Sequence, residues 1–406
     1  MKYGLICYNR LNNIGNEIQS IAARRFLPQI DYYLDFNDLT NFDSADEEFK
    51  VITNAWYLQD KKSWPPKDKY INPLLVSMHL NLDNKNTIES FLSDESRELL
   101  TKYGPVGARD TSTCDWLNEH NIPSYFSGCL TLTLQGEDAP KEDYILLVDV
   151  PKELIPFIKS KTNKKIYNIT HFTPIDLDKR RNLPRDYLEY RVYNSQEKFY
   201  LAENYLKLYE KASCVITNRL HVALPCLAFK TPVMVISDII YENSRFSGFE
   251  EMLRFSTVEE YKNNYNMFDV NNPPENSKNY LKYRKDLIEK CQKFTGHINP
   301  TYYSFKYNDN DLLKKNVLML NQLNIKGLET NNKVFKLERE NEKLKNQNKK
   351  QKQANKKLKK QNKKQKQANK KLKKQNNKKD KKLKEIKYSN SWKMTKPLRK
   401  FKKLIK

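Results

Sequence analysis

A chain of 406 residues with 74 Lys and Arg against 49 Asp and Glu carries a formal charge of +25, a balance that points first to a polyanionic partner. The excess is local: residues 331–406 hold 32 of the basic and 5 of the acidic residues, leaving 42 against 44 for the rest. Charge therefore speaks for a partner of the tail and gives the body no nucleic-acid signature. Length allows two domains plus an appendage. No apolar run approaches the roughly 18–20 residues of a membrane span, and the opening stretch Tyr3 to Tyr8 is too short for a signal peptide, so a soluble, cytoplasmic body is expected. Cys7, Cys114, Cys129, Cys214, Cys226 and Cys291 show no CxxC and no paired spacing, which suits buried, reduced thiols.

In chain order, Tyr3 to Tyr8 reads as a buried strand. The polar loop 9–13 then leads to Gly15-Asn16-Glu17, after which Ile18, Ile21, Ala22, Arg25 and Phe26 recur at helical spacing until Pro28. Gly15 and Asn16 stand where backbone can approach a ligand, although a glycine in an ordinary turn explains Gly15 as simply. Val51 to Trp56 and Leu74 to His79 read as two more buried strands. Strand ends in a parallel sheet face the ligand cleft, which makes Asn54 and His79 binding candidates. The plain reading of His79 is a strand-end residue.

Gly104 to Thr111 is a stronger stretch. Gly107 and Ala108 leave room for close approach, Arg109 follows, and Asp110 or Thr111 caps the helix through Trp116 and Leu117. The alternative for Arg109 is a structural pair with Asp110. Cys129 reads as core or cleft wall, since no neighbouring base marks it as a nucleophile. This first domain covers 1–135.

The second, 136–300, repeats the alternation. Tyr144 to Val150 and Lys165 to Ile169 are strands, the latter ending at Thr170-His171, and Ser195 to Ala212 is an amphipathic helix with Phe199, Ala202, Tyr205, Leu206 and Tyr209 on one face. Cys214 to Ile216 is a short buried strand feeding a buried helix, with Pro232 to Ile236 the next strand. At that junction Thr217 and Asn218 are good helix caps, Arg219 offers a planar donor fork for carboxylate or phosphate, and His221 offers a proton near neutral pH. A strand end meeting a helix start favours anions. Pro225 either kinks this helix or opens it, the latter leaving Arg219 and His221 in the loop. Arg245, in the turn 244–249, is a third anion ligand, with a surface loop as its plainer reading.

Thr217-Asn218-Arg219-Leu220-His221-Val222-Ala223-Leu224-Pro225, followed by Ala228-Phe229-Lys230-Thr231-Pro232-Val233, resembles the signature of the polysaccharide pyruvyl transferase family. Gly15-Asn16, Gly107-Ala108-Arg109-Asp110 and Gly128-Cys129 agree with it in order and spacing over the whole body. The resemblance implies an α/β fold of two Rossmann-like domains facing a cleft, GT-B-like in architecture. It also implies transfer of pyruvate from phosphoenolpyruvate to two sugar hydroxyls of a polysaccharide or its precursor, with a ketal formed and phosphate released. Arg109 and Arg219 would then clamp the donor from opposite domains and His221 would carry a proton, with Gly15, Asn16, Asn54, His79, Asn218 and Arg245 as further binding candidates. Asn16 stands where many relatives carry Asp, so no acid is available there. No metal and no cofactor besides the donor substrate is expected. Two rivals are a GT-B-type glycosyltransferase using a nucleotide-sugar and a non-catalytic scaffold acting through its basic tail.

After a linker, 301–330, residues 331–388 carry a 14-residue repeat, Asn348 to Gln361 and again from Asn362. Fourteen is two heptads. The a positions run Val334, Asn341, Asn348, Asn355, Asn362, Asn369, Asn376, Leu383, and the d positions Leu337, Leu344, Gln351, Leu358, Gln365, Leu372, Lys379, Ile386. A wet seam of this kind suits a marginal coiled coil, and with it a homo-oligomer, or a single helix of about 80 Å; the alternative is a disordered lysine-rich spacer. Without aromatics and almost without Arg, the repeat has nothing to read bases, so specific nucleic acid is not expected. The final segment, 389–406, resembles a "Ser-Trp-Lys-x-Thr-Lys-Pro-Leu-Arg" ending of bacterial glycan-assembly enzymes. Physically it is a basic amphipathic helix suited to the anionic inner membrane face.

Overall fold

The computed structural model describes residues 1–8, 11, 13–57, 63–138, 140–172, 195–239, 244–298 and 365–404. The linker 301–330, the heptad positions from Val334 to Asn362 and the side chains of Phe401, Leu404 and Ile405 lie outside the described residues. Two units are distinguished, Met1–Ile325 and Lys326–Lys406.

The first unit opens with β1 (Lys2–Cys7), buried at five of six positions, as a strand covered on both faces must be. It is followed by α1 (Gly15–Arg24), β2 (Tyr32–Asp35), β3 (Phe49–Ile52), β4 (Trp56–Tyr57), β5 (Ile71–Leu74) and β6 (His79–Leu80). Next come α2 (Lys85–Leu92), α3 (Asp94–Tyr103), β7 (Val106–Ala108), α4 (Thr111–Glu119) and β8 (Ser124–Phe126). Strands β2, β1, β3 and β5 form a parallel sheet in that order, and β4–β6 and β7–β8 are short parallel pairs. The two long strands expected at 51–56 and 74–79 are each interrupted. Ser77 adopts a left-handed backbone (φ 53) that turns the chain after β5. Hydrogen bonds from Gly107 N–H to Leu75 O and from Met78 N–H to Gly107 O then carry the sheet across to β7.

The second half contains β9 (Tyr144–Val148), α5 (Leu154–Lys159), β10 (Lys165–Ile169), α6 (Ser195–Lys211), β11 (Cys214–Thr217), α7 (Leu220–Ala228), β12 (Val233–Ile236), β13 (Arg254–Ser256), α8 (Val258–Asn263) and α9 (Leu281–Thr295). Its five parallel strands are ordered β10-β9-β11-β12-β13. The order reverses at β9 and β11, which puts a ligand crevice outside their carboxyl ends. In the first sheet the same reversal lies between β1 and β3.

One apolar core crosses both halves. Ile18, Ile21 and Ala22 of α1 join Leu220, Ala223, Leu224 and Leu227 of α7, Leu130 and Leu132, and Phe199, Ala202, Tyr205, Leu206 and Tyr209 of α6. Each large side chain so buried contributes about 1.5–3 kcal/mol of transfer free energy, and this shared layer fixes the strand ends of both sheets. All six cysteines are free and buried.

In the second unit, α10 (365–388) is helical, with Leu372, Leu383 and Ile386 exposed. α11 (Asn390–Met394) is capped by the Ser389 hydroxyl, which accepts from Trp392 N–H, and α12 (Lys396–Leu404) follows. No helix among the described residues is long and apolar enough to cross a membrane.

Candidate active site

One pocket is lined by Asn13, Trp56 and Arg109 from the first half and by His171, Asn218, Arg219, Leu220, His221, Arg245 and Phe246 from the second. It encloses about 410 Å³, open solvent at its mouth included. Arg109, Arg219 and the two histidines reach it from strand ends or a helix start, and Arg245 from a turn. Arg109 follows β7, its backbone N–H donating to Met78 O (2.8 Å). Asp110 caps α4 by accepting from Thr113 N–H (2.9 Å), the first of the two caps the sequence allowed. Arg219 itself is the cap residue of α7. Thr217 Oγ1 takes its backbone N–H (2.9 Å), so neither Thr217 nor Asn218 caps the helix. Pro225 lies inside α7, and His221 therefore sits in the helix's first turn and not in a loop. A β-carbon on Gly15 would stand 3.1 Å from His221 Cβ and Nδ1, so the glycine lets α1 and α7 approach there.

Arg219 is held by Asp149, whose Oδ2 accepts from Nε at 2.8 Å, and its guanidinium lies 4.6 Å from the Phe172 ring centre. Asp149 adopts a left-handed backbone (φ 51) at the end of β9, a conformation Asp tolerates better than most residues. Arg245 lies over the Trp56 ring at 5.4 Å. Its turn is fastened to the start of α4: Thr111 N–H donates to Ser247 O (3.3 Å), Ser112 N–H to Ser247 Oγ (3.1 Å) and Ser112 Oγ to Ser244 O (3.2 Å). Through this latch a second-half arginine is indexed to the Arg109-Asp110 turn.

The Arg109 side chain is 2 % exposed. Its Nε is 3.5 Å from Asp110 but not aligned for a hydrogen bond, and both Nε and Nη2 lack a hydrogen-bond partner. Trp56 Nε1, Asn218 Oδ1 and His221 Nε2 are likewise buried without a partner among the described residues. Leaving such a group unsatisfied costs about 1–3 kcal/mol, and more when it is charged. A bound molecule with anionic oxygens and hydroxyls would meet these groups, donors and acceptors alike.

The cations also act on one another. Burial, then Arg109 and Arg219, pushes Arg245 down to about 10. Burial lowers Arg109 against the pull of Asp110. His221 is held well below the ordinary imidazole value, first by burial and then by Arg109, His171 and Arg245. His171 is pushed down to about 3 by burial, with Asp149 opposing and Arg219 assisting. The pocket is thus a positive site containing neutral imidazoles.

Of the residues singled out from sequence, Arg109, Asn218, Arg219, His221 and Arg245 meet in this pocket. Gly15, Asn16, Asn54 and His79 are buried around it but do not line it. Asn54 Nδ2 donates to Gln19 O (2.8 Å). His79 Nδ1 hydrogen-bonds Asp110. Burial and Arg109 depress His79 to about 4; burial would raise Asp110, but His79 and Arg109 hold it at about 2. At neutral pH the pair is therefore a carboxylate bonded to a neutral ring that braces the Arg109 turn. Asn13, Trp56 and His171 escape the motif reading. His171 follows β10 as Arg219 follows β11, so the strand-end rule applied to each strand finds it. Among the described residues no group of three or more His, Cys, Asp or Glu is arranged to hold a metal ion.

No curated protein matches the chain. Among solved structures, the S. aureus MnaA–UDP co-structure is similar at 12 % identity and a TM-score of 0.34, covering 78 % of this chain and 95 % of that one. The model of the polysaccharide pyruvyl transferase family matches residues 76–238, the stretch that holds Arg109, His171, Asn218, Arg219 and His221, and by that match the chain is an enzyme of the transferase kind.

Proposed function

We propose that the chain transfers pyruvate from phosphoenolpyruvate to two hydroxyls of a glycan acceptor. The two sheets open on one cleft in a GT-B-like arrangement, with 1–135 and 136–300 as its Rossmann-like domains. The family match supports pyruvate transfer on polysaccharide. The observation that carries the donor is the meeting of Arg109, Arg219 and Arg245 in one small pocket, with Arg109 buried and short of hydrogen-bond acceptors. Phosphoenolpyruvate brings a carboxylate and a phosphate, one anion for each side of the cleft.

In the reaction the enol carbon gains a proton and C2 becomes electrophilic. Two sugar oxygens bond to C2, and the C2–O bond to phosphate breaks with its electron pair leaving on phosphate. The two hydroxyl protons end one on the new methyl group and one on the released phosphate, so no other reactant is needed. His221 takes a hydroxyl proton. Burial and the arginines keep it neutral, and a bound anion offsets the arginines and raises its basicity. Asn218 Oδ1 and the Trp56 ring are suited to the acceptor sugar.

Arg109→Met is expected to weaken phosphoenolpyruvate binding by about 1.5–3 kcal/mol for each charged hydrogen bond lost, measured by calorimetry. Tight binding of a nucleotide-sugar with none of phosphoenolpyruvate would replace this reading by the glycosyltransferase one, and full biological activity of the Arg219 and His221 alanine variants would favour the scaffold.

We also propose that the tail holds the enzyme at the anionic inner membrane face, near lipid-linked acceptors, and that α10 contributes to self-association. Tyr388, Trp392, Met394 and Leu398 are exposed among Lys387, Lys393, Lys396, Arg399 and Lys400, the mixture that partitions to anionic interfaces. Deleting 389–406 is expected to reduce sedimentation with phosphatidylserine vesicles at physiological salt, where the attraction of the remaining lysine repeat is largely screened; unchanged sedimentation there refutes the assignment of membrane contact to this segment.

A further inference from the structure

His171 has no part in the reaction as set out above, yet it lies in the same pocket. Its backbone is fixed on two sides: the N–H donates to Asp149 Oδ2 (3.1 Å), and the carbonyl accepts from Ile14 N–H (2.9 Å) of the first half. Its ring packs against Tyr205 at 5.8 Å and places Nε2 2.5 Å from the Tyr209 hydroxyl. That hydroxyl has no other hydrogen-bond partner among the described residues. Burial pushes the Tyr209 phenol far up, so it keeps its proton and donates it to Nε2. An uncharged ring that accepts at Nε2 carries its single hydrogen on Nδ1. Nδ1 has no hydrogen-bond partner among the described residues.

We propose that His171 is a further ligand of the donor anion, presenting a fixed Nδ1–H donor beside the arginines, and that Tyr209 is the positioning residue that sets its tautomer. A neutral donor is the useful chemistry at this point. Another cation would add to the repulsion among the arginines, whereas a preorganised N–H supplies an oxyanion with a hydrogen bond and no further charge. The proposal rests on the reading of phosphoenolpyruvate as donor.

The test is binding of phosphoenolpyruvate to the full chain by calorimetry, with histidine 15N spectra of the free protein alongside. His171→Phe keeps the ring volume and removes the donor; affinity is expected to fall roughly tenfold to a hundredfold. His171→Asn, whose amide N–H overlays Nδ1, is expected to stay within about threefold of the wild type. Tyr209→Phe frees the tautomer and is expected to lie between the two. In the wild type the resonance lost on His171→Asn should be that of an Nδ1–H tautomer. A folded His171→Phe protein with unaltered affinity, or an Nε2–H tautomer in the wild type, overturns the proposal while leaving the donor assignment intact. No binding of phosphoenolpyruvate by the wild type removes both.

Discussion

His221→Asn is expected to lower kcat with phosphoenolpyruvate and the glycan acceptor by 10²–10⁴-fold, the usual contribution of a positioned proton carrier, while donor affinity stays within a few-fold. Asparagine keeps a polar side chain of similar reach but cannot take a proton. The acid limb of kcat against pH, set by His221 in the donor-bound enzyme, should vanish in the variant. A variant that keeps kcat within about threefold, or that keeps the limb, removes His221 from the chemistry.

The same residue has a stability signature of defined sign. His221, His171 and His79 all have folded-state values depressed below an unfolded value of about 6.5. The unfolded chain therefore binds more protons as pH falls. Their contribution is fully present above the unfolded value and is lost as pH drops toward the folded ones, about 4 for His79 and about 3 for His171. His221→Asn should lose less of its stability between pH 7 and pH 5 than the wild type, read by urea unfolding at the two pH values. An equal loss would mean that His221 takes up a proton in the folded protein as readily as in the unfolded chain.

How far the sequence carries such arguments depends on whether a feature is local. Apolar runs such as Tyr144 to Val148 and Cys214 to Ile216 read as parallel strands because both faces of the sheet are covered, and their alternation with helices gives the α/β class. Arg109, Arg219 and His221 are legible because each sits where a strand ends. What escapes is set by partners far away in the chain. Ser77's left-handed turn and the β5-to-β7 handover need the Gly107 backbone to be seen. His171 looks like any strand-end histidine until Tyr209 is placed against it. Nothing local in the sequence pairs Glu17 with Lys198, and the structure buries both.

That last pair supports the second large effect. Lys198 of α6, its side chain 1 % exposed, forms an ion pair with Glu17 of α1 and also donates to Tyr8 O (2.5 Å) and Leu11 O (2.8 Å). One ammonium thus meets one oxygen of a carboxylate and two carbonyls at the seam between the two halves. Lys198→Met is expected to destabilise the protein by about 3–5 kcal/mol, because a buried carboxylate loses its counter-charge. Glu17→Gln in the same background removes that charge and should recover part of the loss. Recovery is incomplete, since the Tyr8 and Leu11 carbonyls still lack their donor. Urea unfolding of the two single variants and the double gives the coupling directly. The seam sits at the start of α1, whose Gly15 faces His221, so Lys198→Met should also lower kcat through misalignment even where it remains folded. Additive single effects would show that the pair is not an energetic unit, and the orientation of the cleft would then have to rest on the apolar layer between α1, α6 and α7 alone.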